Sequence, residues 1–347
     1  MSSILSKLKN SPYSWAFTVV PVIGISVTLR NGLNFWGYDF YALDWAKVWP
    51  HPSSVFSVEN FGDLALAHLL RIDSRVGWFS LHLGLSLIYF MLLILFSHTS
   101  NLDNEKRKTL FVIFAACPIT MMIMQEIGYF DVITILGAII LGCGTSTPTR
   151  IVGAAIMASG NTPQALIATF LFSIALSLIS NKPIKVRLQY FAPFALVVLI
   201  WIFERMWLGG MGRTEEFGPS MWSYSVKGFL VVSPMLYFYS VLGPLVILIP
   251  KIFKRIGHSI KSRELWVVGW CIWIPCFFGI VTTESTRDAL CLMAPTFFWF
   301  IKREITEFGL RLSKWEIVGM CLLPCFLVWR EGDIVESWSV LRRLFFP

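Results

Sequence analysis

Apolar runs long enough to cross a bilayer alternate with short polar loops along the whole chain. A spanning helix needs roughly 20 apolar residues, and runs near that length lie at about 15–33, 77–97, 108–125, 129–146, 189–208, 227–250, 264–283, 286–301 and 314–330. A further apolar stretch, 151–180, is interrupted at Ser159-Gly160-Asn161-Thr162-Pro163-Gln164. Eight residues precede the break, too few to cross, and sixteen follow it, Ala165 to Ser180. The one long connection is Asn34–Val76, 43 residues between the first two runs. Within it, Tyr38–Val48 and Val58–Leu70 have helical apolar spacing, and Trp36, Trp45 and Trp49 suit a membrane interface. His51-Pro52-Ser53-Ser54 reads as the turn between these two interfacial helices. The pattern predicts an all-α polytopic membrane protein with about nine transmembrane helices and one broken pair, a single transmembrane domain over 1–347.

Composition narrows this further. Of 347 residues, 56% are hydrophobic and only 14% charged, against roughly 25% charge in an ordinary soluble chain. One water-soluble core could not hide so much apolar surface. The formal net charge of +8 does not mark a nucleic-acid binder, because 18 of the 29 Lys and Arg fall in alternate loops, among them Lys106-Arg107-Lys108, Lys182 to Arg187 and Lys251 to Arg263. That is an orientation signal. It predicts a multi-pass protein of the cell (inner) membrane with its N-terminus cytoplasmic, and it holds only if 151–180 enters and leaves on the cytoplasmic side. The segment therefore reads as re-entrant, with its Gly-Asn-Thr-Pro turn near mid-membrane. Irregular backbone at that depth must be buried in protein or line a wet cavity. Seven cysteines all sit in apolar runs without neighbouring histidine and read as small buried hydrophobes. The first apolar run ends at Thr28-Leu29-Arg30-Asn31 with no small-residue cleavage site, which predicts a retained anchor.

Four places carry candidate chemistry, and the topology puts all of them on the outer side. Just past the first run, Asp39 and Asp44 lie five residues apart on a short helix, where an acid can take a proton from a hydroxyl or bind a divalent cation. The tight turn Gln125-Glu126-Ile127-Gly128-Tyr129-Phe130-Asp131 brings two acids to a point that must face water or a polar cavity. Glu204-Arg205 closes another run and leads into the glycine-rich Gly209 to Gly212, with Arg213 able to grip an anion as a two-pronged fork. The fourth is Thr282-Thr283-Glu284-Ser285-Thr286-Arg287-Asp288, where Arg287 opens an apolar run and needs a partner, either Glu284, Asp288 or a ligand phosphate. Asn161 and Gln164, at the break in 151–180, are expected to line the same polar space. The five histidines show no metal spacing, and no Asp-x-Asp, phosphate loop or nucleophile elbow is present.

A long first outer loop with interfacial helices, the run Asp39-Phe40-Tyr41-Ala42, and Thr286-Arg287 followed by Pro295 together resemble the C-class membrane glycosyltransferases (GT-C fold). The resemblance implies a sugar moved from a polyprenyl-phosphate carrier to a glycan or lipid acceptor at the extracytoplasmic face. It further implies Asp39 or Asp44 as general base and a phosphate held by Arg287 with Arg205 or Arg213. A divalent cation is the one cofactor such a site accommodates, and the bilayer and the lipid-linked donor are the implied partners. Two other readings stay open: a polysaccharide polymerase or ligase of another fold, and a transporter or structural subunit working with membrane protein partners.

Overall fold

The computed structural model describes residues 13–35, 39–51, 58–99, 102–210, 234–256, 263–281, 285–328 and 334–336. The first rod is α1 (Ser14–Asn31), followed by two short helices of the long first connection, α2 (Asp39–Val48) and α3 (Phe61–Leu69). Helices thus form where apolar spacing predicted them, within 38–48 and 58–70. Next come α4 (Arg75–Thr99), the bent pair α5 (Asn104–Ala116) and α6 (Pro118–Gln125), α7 (Asp131–Cys143), α8 (Thr147–Gly160) and α9 (Thr162–Ile179). The remaining helices are α10 (Ile184–Leu188), α11 (Ala192–Gly210), α12 (Pro234–Leu242), α13 (Ile249–Ile256), α14 (Arg263–Val281), α15 (Ser285–Thr306) and α16 (Lys314–Leu322). A small hairpin, β1 (Phe326–Val328) against β2 (Ile334–Glu336), completes the described chain, with Leu327 opposite Val335.

Among the described residues, four helical segments are long and apolar enough to cross a membrane: Arg75–His98, Thr162–Ile179, Ile184–Gly210 and Met235–Ile256. The pair α5–α6 makes a fifth if its 49° bend is one broken span. Hydropathy along the chain thus suggests more crossings than there are single helices of spanning length. Two of the differences have a proline behind them. The run 108–125 breaks at Pro118, which cannot donate to the carbonyl four residues back. The run 314–330 stops as a helix at Leu322 because Pro324 turns the preceding residue to extended geometry, and the chain continues as β1.

The core is built around α5–α6–α7. Every residue from Thr109 to Ile139 is buried, as expected for helices apolar on all sides. The break at Pro118 leaves carbonyls in this core that need donors. Thr120 Oγ1 donates to Phe114 O (2.7 Å), and Arg30, buried at the end of α1, donates to Ala116 O (2.9 Å) and to Met320 O in α16 (2.7 Å). A guanidinium placed at two helix C-termini also meets their negative dipole ends.

Contacts between side chains set the direction of the rods. In the hairpin α7–α8, Gly137 faces Met157, Gly153 faces Leu141 and Gly160 faces Thr134, with backbone so close that no Cβ fits at any of the three. Small residues permitting such approach are typical of helix pairs in membranes. α9 then returns: Gln164 meets Asp288, Phe172 meets Trp299 and Leu178 meets Arg263. The chain therefore reverses at Asn161, level with the start of α7. One end of the bundle gathers Asp131, Asn161 and Asp288. The other gathers Lys251, Arg255, Lys302 and Arg303.

Replacing Gly153 with Leu should force α7 and α8 apart, lowering the unfolding midpoint by the equivalent of about 1–3 kcal/mol. Gly24→Ala, where a Cβ meets no atom within 4 Å, should leave it unchanged. Thermal unfolding of both variants in detergent checks the contrast.

Candidate functional site

The acidic end of the bundle is assembled from six elements: the turn 126–130, the N-termini of α7, α9 and α15, helix α3 and the far end of α11. Asp131 is the first residue of α7, where a carboxylate is favoured by the helix dipole. Arg287, in the first turn of α15, puts Nε 3.1 Å from Asp131 Oδ2 and its guanidinium 3.9 Å from the Tyr129 ring centroid. Cys291, one turn on, donates from Sγ to Asp131 Oδ1 (3.6 Å). Glu126 stands beside the same pair. Its burial pushes the carboxyl well above the usual range; Arg287 opposes this and Asp131 adds to it. Arg287 thus faces Asp131, with Glu126 as the adjoining acid.

The turn between α8 and α9 joins this cluster. Asn161 caps α9, accepting from Gln164 N (3.0 Å), and its amide reaches Asn60 Oδ1 (3.4 Å). Gln164 Nε2 donates to Asp288 Oδ1 (2.8 Å). Thr162 donates to the buried Glu204 of α11, and Arg205 pairs with Glu59 (2.6 Å) while lying over Trp201. Thr286 shares a hydrogen bond with Ser240 (2.7 Å) and accepts from Val328 N (3.0 Å), tying β1 to the start of α15.

Of the residues singled out from sequence, Glu126, Asp131, Asn161, Gln164, Arg287 and Asp288 come together. Arg205 sits at the same end through Glu59 and Glu204. Of the two surroundings expected for the turn at 125–131, water or a polar pocket, open water does not apply: Glu126 and Asp131 are each only 4% exposed, with Arg287 and packed helices around them. Asp44 is apart from the cluster, exposed and paired with Lys47 at 3.2 Å. Asp39 is the first residue of α2, which docks through Ala42, Leu43 and Ala46 near Trp78 and Phe130. The Asp39 side chain, Arg213 and Glu284 lie outside the described residues.

One pair escaped sequence reasoning. Asp63 of α3 and His82 of α4 are fully buried, with Oδ1 and Nε2 3.1 Å apart. His82 Nδ1 is 3.0 Å from Trp78 O, and Trp78 Nε1 donates to Gly128 O (2.9 Å) in the acidic turn. With Nδ1–H donated to the backbone, a single proton between Nε2 and Oδ1 satisfies both side chains. Burial raises the Asp63 carboxyl to about 6, His82 pulls against this, and Asp131 adds to it. The available signal was an acid and a histidine inside otherwise apolar helical runs.

Among the described residues, no three His, Cys, Asp or Glu side chains are arranged to hold a metal ion. The space next to the cluster is apolar instead. A groove of about 280 Å³ runs between α1, α4 and α5–α6, lined by Val20, Gly24, Leu83, Phe90 and Phe111, and it reaches Met124 and Ile127 beside Glu126. No family model, curated protein or solved structure matches this chain.

A carboxyl whose folded pKa is raised stabilises the fold at low pH and loses that contribution as pH climbs. For Asp63 the loss runs from about 4, its unfolded value, through about 6. Asp63→Asn should flatten the fall of the unfolding midpoint across that window. An unchanged slope in a pH series would show that Asp63 does not titrate there.

Proposed function

We propose that the chain is an integral membrane glycosyltransferase that moves a sugar from a polyprenyl-phosphate carrier to an acceptor at the extracytoplasmic face. What carries this reading is the concentration of Glu126, Asp131, Gln164, Arg287 and Asp288 at one end of the bundle, directly beside an apolar groove. The nine-span topology with a cytoplasmic N-terminus belongs to the same reading. It is supported by the gathering of acids at one end and of basic residues at the other.

In this mechanism Asp39 takes the proton of the acceptor hydroxyl. The acceptor oxygen bonds to the anomeric carbon, the bond from that carbon to the phosphate oxygen breaks, and the polyprenyl phosphate departs. Proton removal of this kind supplies a factor of about 10²–10⁴. The departing phosphate needs cationic donors, which generally contribute more. Arg205 is more exposed than Arg287, its side chain 31% accessible. Arg287 is held by Asp131, so it orders the α7–α15 junction and reaches phosphate only by sharing its fork.

A second reading is favoured by one observation. The Arg287–Asp131 pair is matched and buried within the protein, as in a non-catalytic subunit of a larger membrane assembly. Transfer from a polyprenyl-phosphate sugar, measured with a parallel unfolding measurement, separates the two. Asp39→Asn should bind donor normally and lose transfer at least a hundredfold. Arg287→Lys should lower turnover while keeping the fold, because a point charge neutralises Asp131 but cannot make the two-pronged contact. Full transfer in both variants would defeat the mechanism.

A further inference from the structure

At the end of the bundle opposite the acids, a second groove, with a cavity of about 130 Å³, opens between α12–α13, α14 and α15. Its walls include Leu245, Ile252, Val267, Cys271, Phe297 and Phe300, with almost no polar atom among them. The groove shares no lining residue with the one beside Glu126.

Cations crowd the same end, and most are already engaged. Lys251 donates to Glu316 (2.6 Å) and to Arg311 O (2.7 Å). Arg255 bonds Glu264 and Glu304, Arg303 bonds Glu264 and Glu307, and Lys302 donates to Cys143 O (2.7 Å). Lys254 and Arg263 are different. Both are exposed, and among the described residues neither has a carboxylate partner. The one contact of Arg263 is a long 3.4 Å approach to Leu178 O. Arg263, Val267 and Cys271 follow at four-residue spacing, so this arginine extends the groove-lining face of α14 by one turn. Lys254 directly follows the lining residue Phe253 on α13. Exposed Trp266, one turn into α14, stands where an indole meets lipid headgroups.

We infer that this groove binds an anionic phospholipid, with an acyl chain between α13, α14 and α15 and the headgroup phosphate on Arg263 and Lys254. Charge complementarity selects this occupant. Two uncommitted cations at the mouth of an apolar slot suit a molecule that is apolar along its length and negative at its head. A neutral lipid leaves both unmatched. In the orientation read from the basic loops, this edge faces the leaflet where anionic headgroups meet juxtamembrane Lys and Arg. The inference is independent of glycosyl transfer and stands or falls separately.

The test uses the full chain purified in detergent, with thermal unfolding and native mass spectrometry as readouts. Dioleoylphosphatidylglycerol should raise the midpoint by a few degrees more than dioleoylphosphatidylcholine and should persist as a one-lipid adduct. The double variant Lys254→Ala, Arg263→Ala changes only exposed side chains. It should bind the anionic lipid roughly thirtyfold more weakly and lose the extra rise. Cys271→Trp, which fills the slot, should remove the adduct with the cations intact. Equal effects of the two lipids, or an anionic-lipid effect that survives the double variant, would overturn the inference. So would glycerol 3-phosphate reproducing the effect alone, which would mean a soluble-anion site, or a dimer that forms through this face and excludes lipid.

Discussion

A guanidinium among packed helices has to be matched where it lies, and the acidic end of this protein is organised by that requirement at Arg287. Its counter-charge, Asp131, comes from a helix more than 150 residues earlier in the chain. The pair fixes the N-terminus of α15 against that of α7. Gly142 then lets the same two helices close up farther down, where a side chain would strike Pro295 O. Glu126 adds a second acid beside one arginine, and burial pushes its carboxyl well above the usual range. The neighbouring Asp63–His82 pair follows the same rule with a shared proton. Buried charge is tolerated here because each group has a counter-charge or a proton within reach.

Interrupted helices impose a related constraint. Apolar surroundings offer no solvent to a carbonyl freed by proline, so each break is met by a side chain. Arg30 and Thr120 serve the break at Pro118, and Asn161 caps the reversal between α8 and α9. Thr286 receives the amide of Val328 where α16 has given way to β1. Several of these groups are also the ones nearest the candidate site. Backbone irregularity and site geometry therefore share residues: the turn that repairs the chain at Asn161 also aims Gln164 at Asp288.

The two ends of the bundle have opposite electrical characters. Acids and amides collect at one end, while the other is laced by the network of Arg255, Glu264, Arg303 and Glu304. Each end adjoins an apolar groove, and the two grooves lie between different helices. Such polarity suits a molecule that meets different chemistry on its two sides, with lipid tails as the common element.

Much of this organisation is present in the order of residues. Apolar runs, basic loops and the break at 159–164 determine a helical membrane-type chain, the two outer-loop helices and a reversal near Asn161, because each depends on local composition or on one turn. Glu126, Asp131, Gln164, Arg287 and Asp288 could be singled out because polar groups beside apolar runs are expensive wherever the chain goes. What a residue meets is another matter. Sequence offered Glu284, Asp288 or a phosphate to Arg287, and Asp131 is a partner it did not suggest, since that pairing follows the crossing of α7 and α15 and not distance along the chain. Asp63 and His82 carry no motif, and only the docking of α3 on α4 makes them a pair. Nor could hydropathy foresee that Pro324 would turn the last apolar run into a strand, or that the turn at 125–131 would be dry. Apolarity and charge are properties of single residues and can be read one at a time. Burial, partner and protonation are properties of an assembled neighbourhood, and they exist only once the helices have packed.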